Sequence, residues 1–417
     1  MLLPRFLAQR LPHSNTKRLV MITGARQTGK TTLARATYPH LRYLSLDEVE
    51  TRQMLRDLPT RSWTGAVGSA ILDEAQKEPG LFEKVKFAFD QQAVTFSVLL
   101  GSSQILLLKH IRESLAGRVF VYELWPLLLR EMTAAGAPAE SALTPPLLDR
   151  LLTGAGDADH ILADEPAALL GEDAHHLATR LAHALTWGGM PELFSLSEAE
   201  RRDWLRSYTN TYVERDLSDI ARLDDLEPFR RFTRLAALRS GHVLSYADLA
   251  RDAGVSPGTA RNYLHYLALS YQAFTLMPYL RNSSSRVVKA PKLYWVDPGL
   301  WRQQTGMWGE PNGALLETFV VGEIWKWVKT MDRQVELGYY RTHDGLEVDL
   351  ILATPAGLWG LEIKTARQTA SRDTRPLRRL AEMFGADWRG GLVVCLCEQL
   401  TRLDRNLWAV PVGRLLG

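Results

Sequence analysis

Cysteine is nearly absent, with 2 residues in 417. Two thiols cannot staple a chain of that length, so a disulfide framework is excluded as the source of its stability. They stand at Cys395 and Cys397 beside the apolar run 392–396, one residue apart and hence on one face of a strand. The expectation is a buried pair of thiols in a reducing compartment, because the His and Cys partners of a zinc site are missing nearby. Also missing is any apolar run approaching the ~20 residues of a membrane helix. The longest candidate, 105–108, is closed by Lys109. Pro4, Arg5, Gln9 and Arg10 interrupt the N-terminus where a signal peptide needs an unbroken apolar core. A soluble, cytoplasmic protein with no membrane partner is expected.

Net charge is small as well: 50 Lys+Arg against 47 Asp+Glu, formally +3. That sum conceals unequal parts. Residues 139–200 hold 11 acids and 2 bases, whereas 226–285 hold 7 bases and 3 acids, and the first thirty residues hold 6 bases and no acid. A near-neutral total therefore does not exclude a polyanionic partner.

At roughly 100 to 200 residues per domain, the length implies two to four domains. Apolar runs at 19–23, 41–46, 70–72, 95–100 and 119–124 alternate with helical stretches at 31–37, 48–55, 81–91 and 103–115. Such alternation predicts crossover units and a parallel sheet covered on both faces. Residues 133–146 are rich in Ala, Pro and Gly and read as a linker. The acidic, Ala- and Leu-rich stretch 139–200 reads as a helical lid or spacer. Residues 226–285 read as a compact helical unit followed by a hairpin, and 286–417 as a second α/β domain.

Gly24-Ala25-Arg26-Gln27-Thr28-Gly29-Lys30-Thr31 matches G-x-x-x-x-G-K-[ST] at every position, between a predicted strand and a predicted helix. In that context backbone N–H groups of 24–29, with Thr32 following, wrap the phosphates of ATP. Lys30 neutralises β/γ charge, the Thr31 hydroxyl can hold Mg²⁺, and the helix N-terminus adds partial positive charge. About forty residues on, Ala70-Ile71-Leu72-Asp73-Glu74 supplies a second half: Asp73 for the Mg²⁺ shell, Glu74 to orient or deprotonate the attacking water. The next strand ends in Gly101-Ser102-Ser103. Ser102 or Ser103 can contact the γ-phosphate or the water, with a helix N-cap as the alternative for Ser103. Arg118 can reach the γ-phosphate of its own or a neighbouring subunit, or be a solvated surface arginine. A role across a subunit boundary would require a homo-oligomer.

These residues resemble the prokaryotic predicted ATPases of the AAA superfamily that carry a C-terminal domain of unknown function. The likeness continues through Trp187-Gly-Gly-Met-Pro191-Glu, Tyr212-Val-Glu-Arg-Asp216, Leu293-Tyr-Trp-Val-Asp297-Pro-Gly-Leu300 and Leu315-Leu-Glu317-Thr-Phe-Val. The resemblance implies an α/β multidomain chain: a P-loop AAA-type ATPase domain over 1–132 and a helical lid or spacer over 133–225. A winged-helix unit over 226–285 and a restriction-endonuclease-like domain over 286–417 would follow.

Residues 245–256 read as a capped helix, a turn at Gly254 and the start of a second helix. Ser256, Thr259, Arg261, Asn262 and His265 lie on or near the exposed side of that second helix, where they can meet DNA, or RNA. Ser283-Ser284-Ser285-Arg286 would tip a wing. The alternative is a module used only for packing or protein contact. Further on, Thr354-Pro355-Ala356-Gly357 signals a hairpin, which sets Asp349 against Glu362-Ile363-Lys364. Alternation places Glu362 and Lys364 on one face. This is a D…E-x-K arrangement, with Asp349 and Glu362 to hold Mg²⁺ and Lys364 to position or activate a water against a phosphodiester. By the resemblance, Glu317 completes such a site; the alternative is a retained fold without cutting. Trp325 and Trp327 read as packing residues, His175 and His176 as a solvated pair. Three functions stay open: a DNA-binding ATPase coupling its nucleotide cycle to the other domains, a metal-dependent nuclease gated by ATP, and a nucleotide-switched regulatory protein that processes no nucleic acid.

Overall fold

A computed structural model describes residues 3–101, 115–135, 143–220, 226–279, 290–342 and 345–417, in backbone alone at 212–220 and 371. Ser102, Ser103, the predicted helix 103–115 and the wing tip 283–286 thus lie largely or wholly outside the described residues. Among the described residues, no helix is long and apolar enough to cross a membrane.

The N-terminal sheet contains β1 (Arg18–Thr23), β2 (Arg42–Ser45), β3 (Ala70–Asp73), β4 (Phe96–Gly101) and β5 (Val119–Glu123), in the order β2-β3-β4-β1-β5. All its neighbouring pairs are parallel. Crossovers run through α1 (Lys30–Thr37), α2 (Val49–Asp57), α3 (Trp63–Ala66) and α4 (Gly80–Asp90). β1, β3 and β4 are almost wholly buried, as strands covered by helices on both faces must be. Because β4 is inserted between β1 and β3, the loops after β1 and β3 open at one end of the sheet with β4 between them.

Residues 129–220, which include the acidic stretch, form α5 (Leu129–Ala134), α6 (Leu147–Thr153), α7 (Ala158–Leu162), α8 (Gly171–Trp187) and α9 (Glu198–Ile220). Asp149 pairs with Arg333 at 2.7 Å, Glu165 with Arg414 at 2.8 Å, and Asp159 with Arg402. Three acids of 139–200 are thus met by arginines far away in sequence.

A third unit joins α10 (Glu227–Leu238), β6 (His242–Val243), α11 (Tyr246–Ala253), α12 (Pro257–Leu269) and β7 (Ala273–Leu276). Its antiparallel sheet takes its central strand, β8 (Lys292–Trp295), from beyond residue 285. Gly254, at φ +71°, ends α11, a left-handed conformation that favours glycine.

After α13 (Pro298–Thr305) and α14 (Gly313–Met331) come β9 (Glu336–Arg341), β10 (Glu347–Thr354) and β11 (Gly357–Lys364). α15 (Ser371–Phe384), β12 (Trp388–Cys395), β13 (Thr401–Asp404), β14 (Leu407–Pro411) and α16 (Val412–Leu416) complete the chain. The sheet order is β13-β14-β12-β11-β10-β9. β9, β10 and β11 are antiparallel, and β11, β12 and β14 parallel. Trp325 and Trp327 pack as expected: the first stacks on Phe274, and the second is edge-on to Phe6.

The cysteine expectation is corrected. Cys395 and Cys397 form a disulfide, not two thiols, with Cα atoms 5.2 Å apart. β12 ends at Cys395, and Cys397 lies beyond it, so the two residues no longer share a strand's geometry.

Two motifs of the resemblance meet in a single junction. Asp297, fully buried, accepts from Gly189 N at 2.7 Å and caps α13 through Leu300 N at 3.0 Å. A Cβ on Gly188 would fall 2.1 Å from Asp297 Oδ1, and one on Gly299 would fall 2.0 Å from the Trp187 carbonyl oxygen. Only glycine fits at either position, so Trp187-Gly188-Gly189 and Asp297-Pro298-Gly299 are joining elements.

Candidate functional site

The loop after β1 turns through positive φ at Gly24 (+151°), Gln27 (+59°) and Gly29 (+94°), and Gly29 is the N-cap of α1. Gly24 is required twice over: a Cβ there would meet the Leu124 carbonyl oxygen at 2.1 Å. Thr28 is buried and its hydroxyl donates to the Ala25 carbonyl at 2.9 Å. Lys30, 7% exposed, donates from Nζ to the carbonyls of Gly24 (3.0 Å) and Ala25 (2.7 Å), which folds its ammonium back over the loop. Arg26 is half-buried; Gln27 and Thr32 are exposed at the rim.

Across the mouth, β3 delivers Asp73. Its Oδ2 accepts from Thr31 Oγ1 at 2.6 Å and from Tyr43 OH at 2.9 Å. Burial and this carboxylate push the Tyr43 phenol up to about 12. Glu74 follows in the left-handed region at φ +53°, strained for a residue with a Cβ, and its carboxylate accepts from Gln76. The structure therefore brings Lys30, Thr31, Asp73 and Glu74 to one end of the sheet. Thr31 and Asp73 present hard oxygens within hydrogen-bond reach of each other, a donor set that fits Mg²⁺.

Three residues at this mouth carry no local sequence signal. Arg5 donates to the Thr28 carbonyl at 2.7 Å and pairs with buried Glu131 at 3.2 Å. Tyr208 of α9 reaches the Arg26 carbonyl at 3.5 Å. Tyr271, just after α12, shares a hydrogen bond with Thr23, the last residue before the loop. Beside the loop a cavity of about 930 Å³ is lined by Arg5, Gly29, Thr32, Arg180, Glu192 and Phe194, among others.

Arg118 is corrected for its own subunit. Leu19 pairs with Val119, so Arg118, just before β5, lies level with the first residue of β1, about 20 Å along the strands from Gly24 at ~3.3 Å per residue. Its guanidinium binds Asp90 at 2.6 and 3.1 Å, at the end of the sheet opposite the loop.

The D…E-x-K residues converge. The hairpin forms with Thr354 opposite Gly357. Leu361 and Ile363 face the core under α14 while Glu362 and Lys364 take the other side. A register shift between Val348 and Ile351 marks a bulge that re-aims Asp349. Asp349 Oδ2 then accepts from Ile363 N at 2.8 Å and lies 3.7 Å from Lys364 Nζ, which bonds Glu362 at 2.7 Å. Glu317 of α14 accepts from Tyr294 OH at 2.7 Å and from Lys292.

Burial and the nearby Asp349 push the Glu362 carboxyl up to about 8, and Glu362 Oε1 is a buried acceptor without a partner. Burial and Asp349 raise Glu317 too. Crowded carboxylates of this kind, with an orphaned oxygen, fit a cation by donor type. Yet among the described residues no group of three or more His, Cys, Asp or Glu side chains is arranged to hold a metal ion as it stands. Lys364 lies between Asp349 and Glu362.

A carboxyl whose pKa rises on folding stabilises the fold most at low pH, and that contribution is lost as pH climbs from the ordinary range of a glutamate through about 8. In EDTA, the thermal midpoint should therefore fall between about pH 4.5 and 8. Glu362→Gln should flatten that slope; an unaltered slope would remove the assignment to Glu362.

On α12, Ser256 caps the helix, accepting from Thr259 N at 3.1 Å, with its hydroxyl 2.9 Å from that of Thr259. Arg261, Asn262 and His265 are exposed, the Arg261 guanidinium lying over the Tyr246 ring at 5.3 Å.

Comparison with known proteins finds three matched regions. Residues 16–133 match the AAA domain model, 178–310 a domain of unknown function (DUF8612), and 312–415 another domain of unknown function (DUF4143). An uncharacterized protein of Mycobacterium tuberculosis is 28% identical over 392 residues, covering 89% of this chain and 77% of that protein. An uncharacterized protein of Methanocaldococcus jannaschii is 24% identical over 375 residues, covering 82% and 74%. The Walker-type ATPase of Pyrococcus abyssi is similar over 72% of this chain and 94% of that one, at 14% identity and a TM-score of 0.42. The chain thus combines an AAA-type ATPase domain with a C-terminal DUF4143 domain.

Proposed function

We propose that the protein is a Mg²⁺-dependent ATPase that binds DNA through a winged-helix unit and couples its nucleotide cycle to that unit and to a restriction-endonuclease-like domain. The observation that carries this reading is the assembled mouth of the first sheet: Lys30 folded over the loop, Thr31 bonded to Asp73, and Glu74 beside them. The loop amides and the α1 N-terminus would bind the β- and γ-phosphates, with Lys30 turning from the loop carbonyls to the phosphate oxygens. Thr31 and Asp73 would hold Mg²⁺, which offsets the charge growing on those oxygens. Glu74 takes the proton of the attacking water. The adjoining cavity has room for the base and ribose, with Arg5 at its edge. Arg118 is left for a neighbouring subunit's nucleotide, which requires a homo-oligomer.

Coupling is supported by the bond between Thr23 and Tyr271. One partner precedes the phosphate loop; the other follows α12. Tyr271 is buried and held at φ +62°, a strained conformation for a tyrosine. DNA binding is supported by the exposed Ser256, Arg261 and Asn262 at the start of α12, where a helix-turn-helix meets DNA. Arg261→Ala should weaken binding of duplex DNA and reduce the slope of log K against log[salt] by about 0.9, one phosphate's worth. An unchanged slope would take Arg261 off the DNA, and salt-independent binding would favour a regulatory protein that contacts no nucleic acid.

The convergence of Asp349, Glu362 and Lys364 favours a second reading, a metal-dependent nuclease gated by ATP. Incubation of DNA or RNA with Mg²⁺ or Mn²⁺ decides it. Cleavage lost in Asp349→Ala and Lys364→Ala supports the nuclease, and cleavage indifferent to both removes it.

A further inference from the structure

Lys292 sits where two units meet. It belongs to β8, the strand hydrogen-bonded between β6 and β7 beside α10 to α12. Its ammonium nevertheless enters the acidic site of the C-terminal sheet, 3.2 Å from Glu317 Oε1 and 2.8 Å from Glu347 Oε1. The side chain is 3% exposed and lies over the Tyr339 ring at 5.5 Å. Tyr294, two residues along β8, donates to the same Glu317 oxygen. One strand of the helical unit thus delivers a positive charge and a hydroxyl to the α14 carboxylate. On the other side Lys364 occupies Glu362 and Asp349. Four carboxylates are shared between two ammonium groups, so each crowded acid has a lysine beside it as well as its neighbouring acids.

A divalent cation needs several of these oxygens at once and is repelled by an ammonium a few ångströms away, most strongly where water is excluded. We propose that Lys292 is an internal counter-cation that withholds Glu317 from the acidic site, so that β8 must release Glu317 before it joins Asp349 and Glu362 around a divalent cation. The unit that carries α12 thereby controls the site through one buried lysine. Lys292 acts through Glu317, as a positioning residue. The inference rests on reading Asp349, Glu362 and Glu317 as a cation site.

The test is Mn²⁺ titration by calorimetry on the full chain without nucleotide, with Asp349→Ala as the blank. Lys292→Gln keeps amide donors toward Glu317 and Glu347 on a side chain one atom shorter and loses the charge, and its thermal unfolding midpoint serves as the folding control. Lys292→Arg keeps the charge. Asp349-dependent Mn²⁺ affinity is expected to tighten at least tenfold in Lys292→Gln, an order of magnitude set by the lost repulsion, and to stay at the wild-type level in Lys292→Arg. Equal or weaker affinity in Lys292→Gln overturns the proposal and leaves the cation site standing. Absence of Asp349-dependent binding from wild type and every variant removes the cation site itself, and the proposal with it.

Discussion

Glu74→Gln should lower ATP turnover by about 10²- to 10⁴-fold, the contribution of a general base, while leaving nucleotide binding near wild type. The separation follows from where the residues stand. Lys30 and the loop amides face the phosphates, whereas Glu74 projects from the strained turn after β3 and touches the Gln76 side chain. Lys30→Ala should remove both binding and turnover, because its ammonium is the nearest full positive charge to the loop carbonyls it now binds. Fluorescent-nucleotide binding and phosphate release, measured on the same preparations, distinguish the two. Turnover of Lys30→Ala equal to that of wild type would sink the ATPase assignment. Loss of binding in Glu74→Gln would move that residue from water activation to nucleotide contact.

Lys326→Met should cost about 3–5 kcal/mol of stability, the usual penalty for breaking a buried ion pair from one side. Lys326 and Glu323 are 2% and 3% exposed and bonded to each other on α14. Both also reach the segment that leaves the first sheet: Lys326 Nζ donates to the Leu127 carbonyl at 3.2 Å, and Leu129 N donates to Glu323 Oε2 at 2.7 Å. Burial raises the Glu323 pKa, so the lysine is what keeps that carboxylate tolerable. Adding Glu323→Gln to Lys326→Met should recover part of the loss, since glutamine still accepts from Leu129 N and leaves no orphaned charge. Urea midpoints of the single and double variants measure this; no loss in Lys326→Met would mean that the pair is solvated.

Much of the candidate nucleotide site was legible because its chemistry is local. Gly24, Gly29, Lys30 and Thr31 lie within eight residues, and each has one geometric task. Asp73 and Glu74 were readable because a buried strand must end where they stand. The hairpin 347–364 was readable for the same reason, since a two-residue turn sets its register. The bulge that turns Asp349 inward was not, because it arises from pairing with β9. Arg118 shows the limit: its sequence neighbourhood suited a γ-phosphate contact, but the parallel register of β5 on β1 carries it to the wrong end of the sheet.

Composition, periodicity and spacing by themselves determined the phosphate loop, the alternating α/β order, the helix-turn-helix spacing and the D…E-x-K pattern. These are properties of residues a few turns apart, where backbone geometry leaves little choice. Only the tertiary structure decided what surrounds them. Three acids of 139–200, Asp149, Asp159 and Glu165, meet Arg333, Arg402 and Arg414, so those bases are neutralised within the chain. Arg5, Tyr208 and Tyr271 reach the loop, and Lys292 reaches Glu317, across separations in sequence that no local pattern encodes. Burial makes such contacts necessary, because desolvated charges and hydroxyls must find partners wherever the fold brings them.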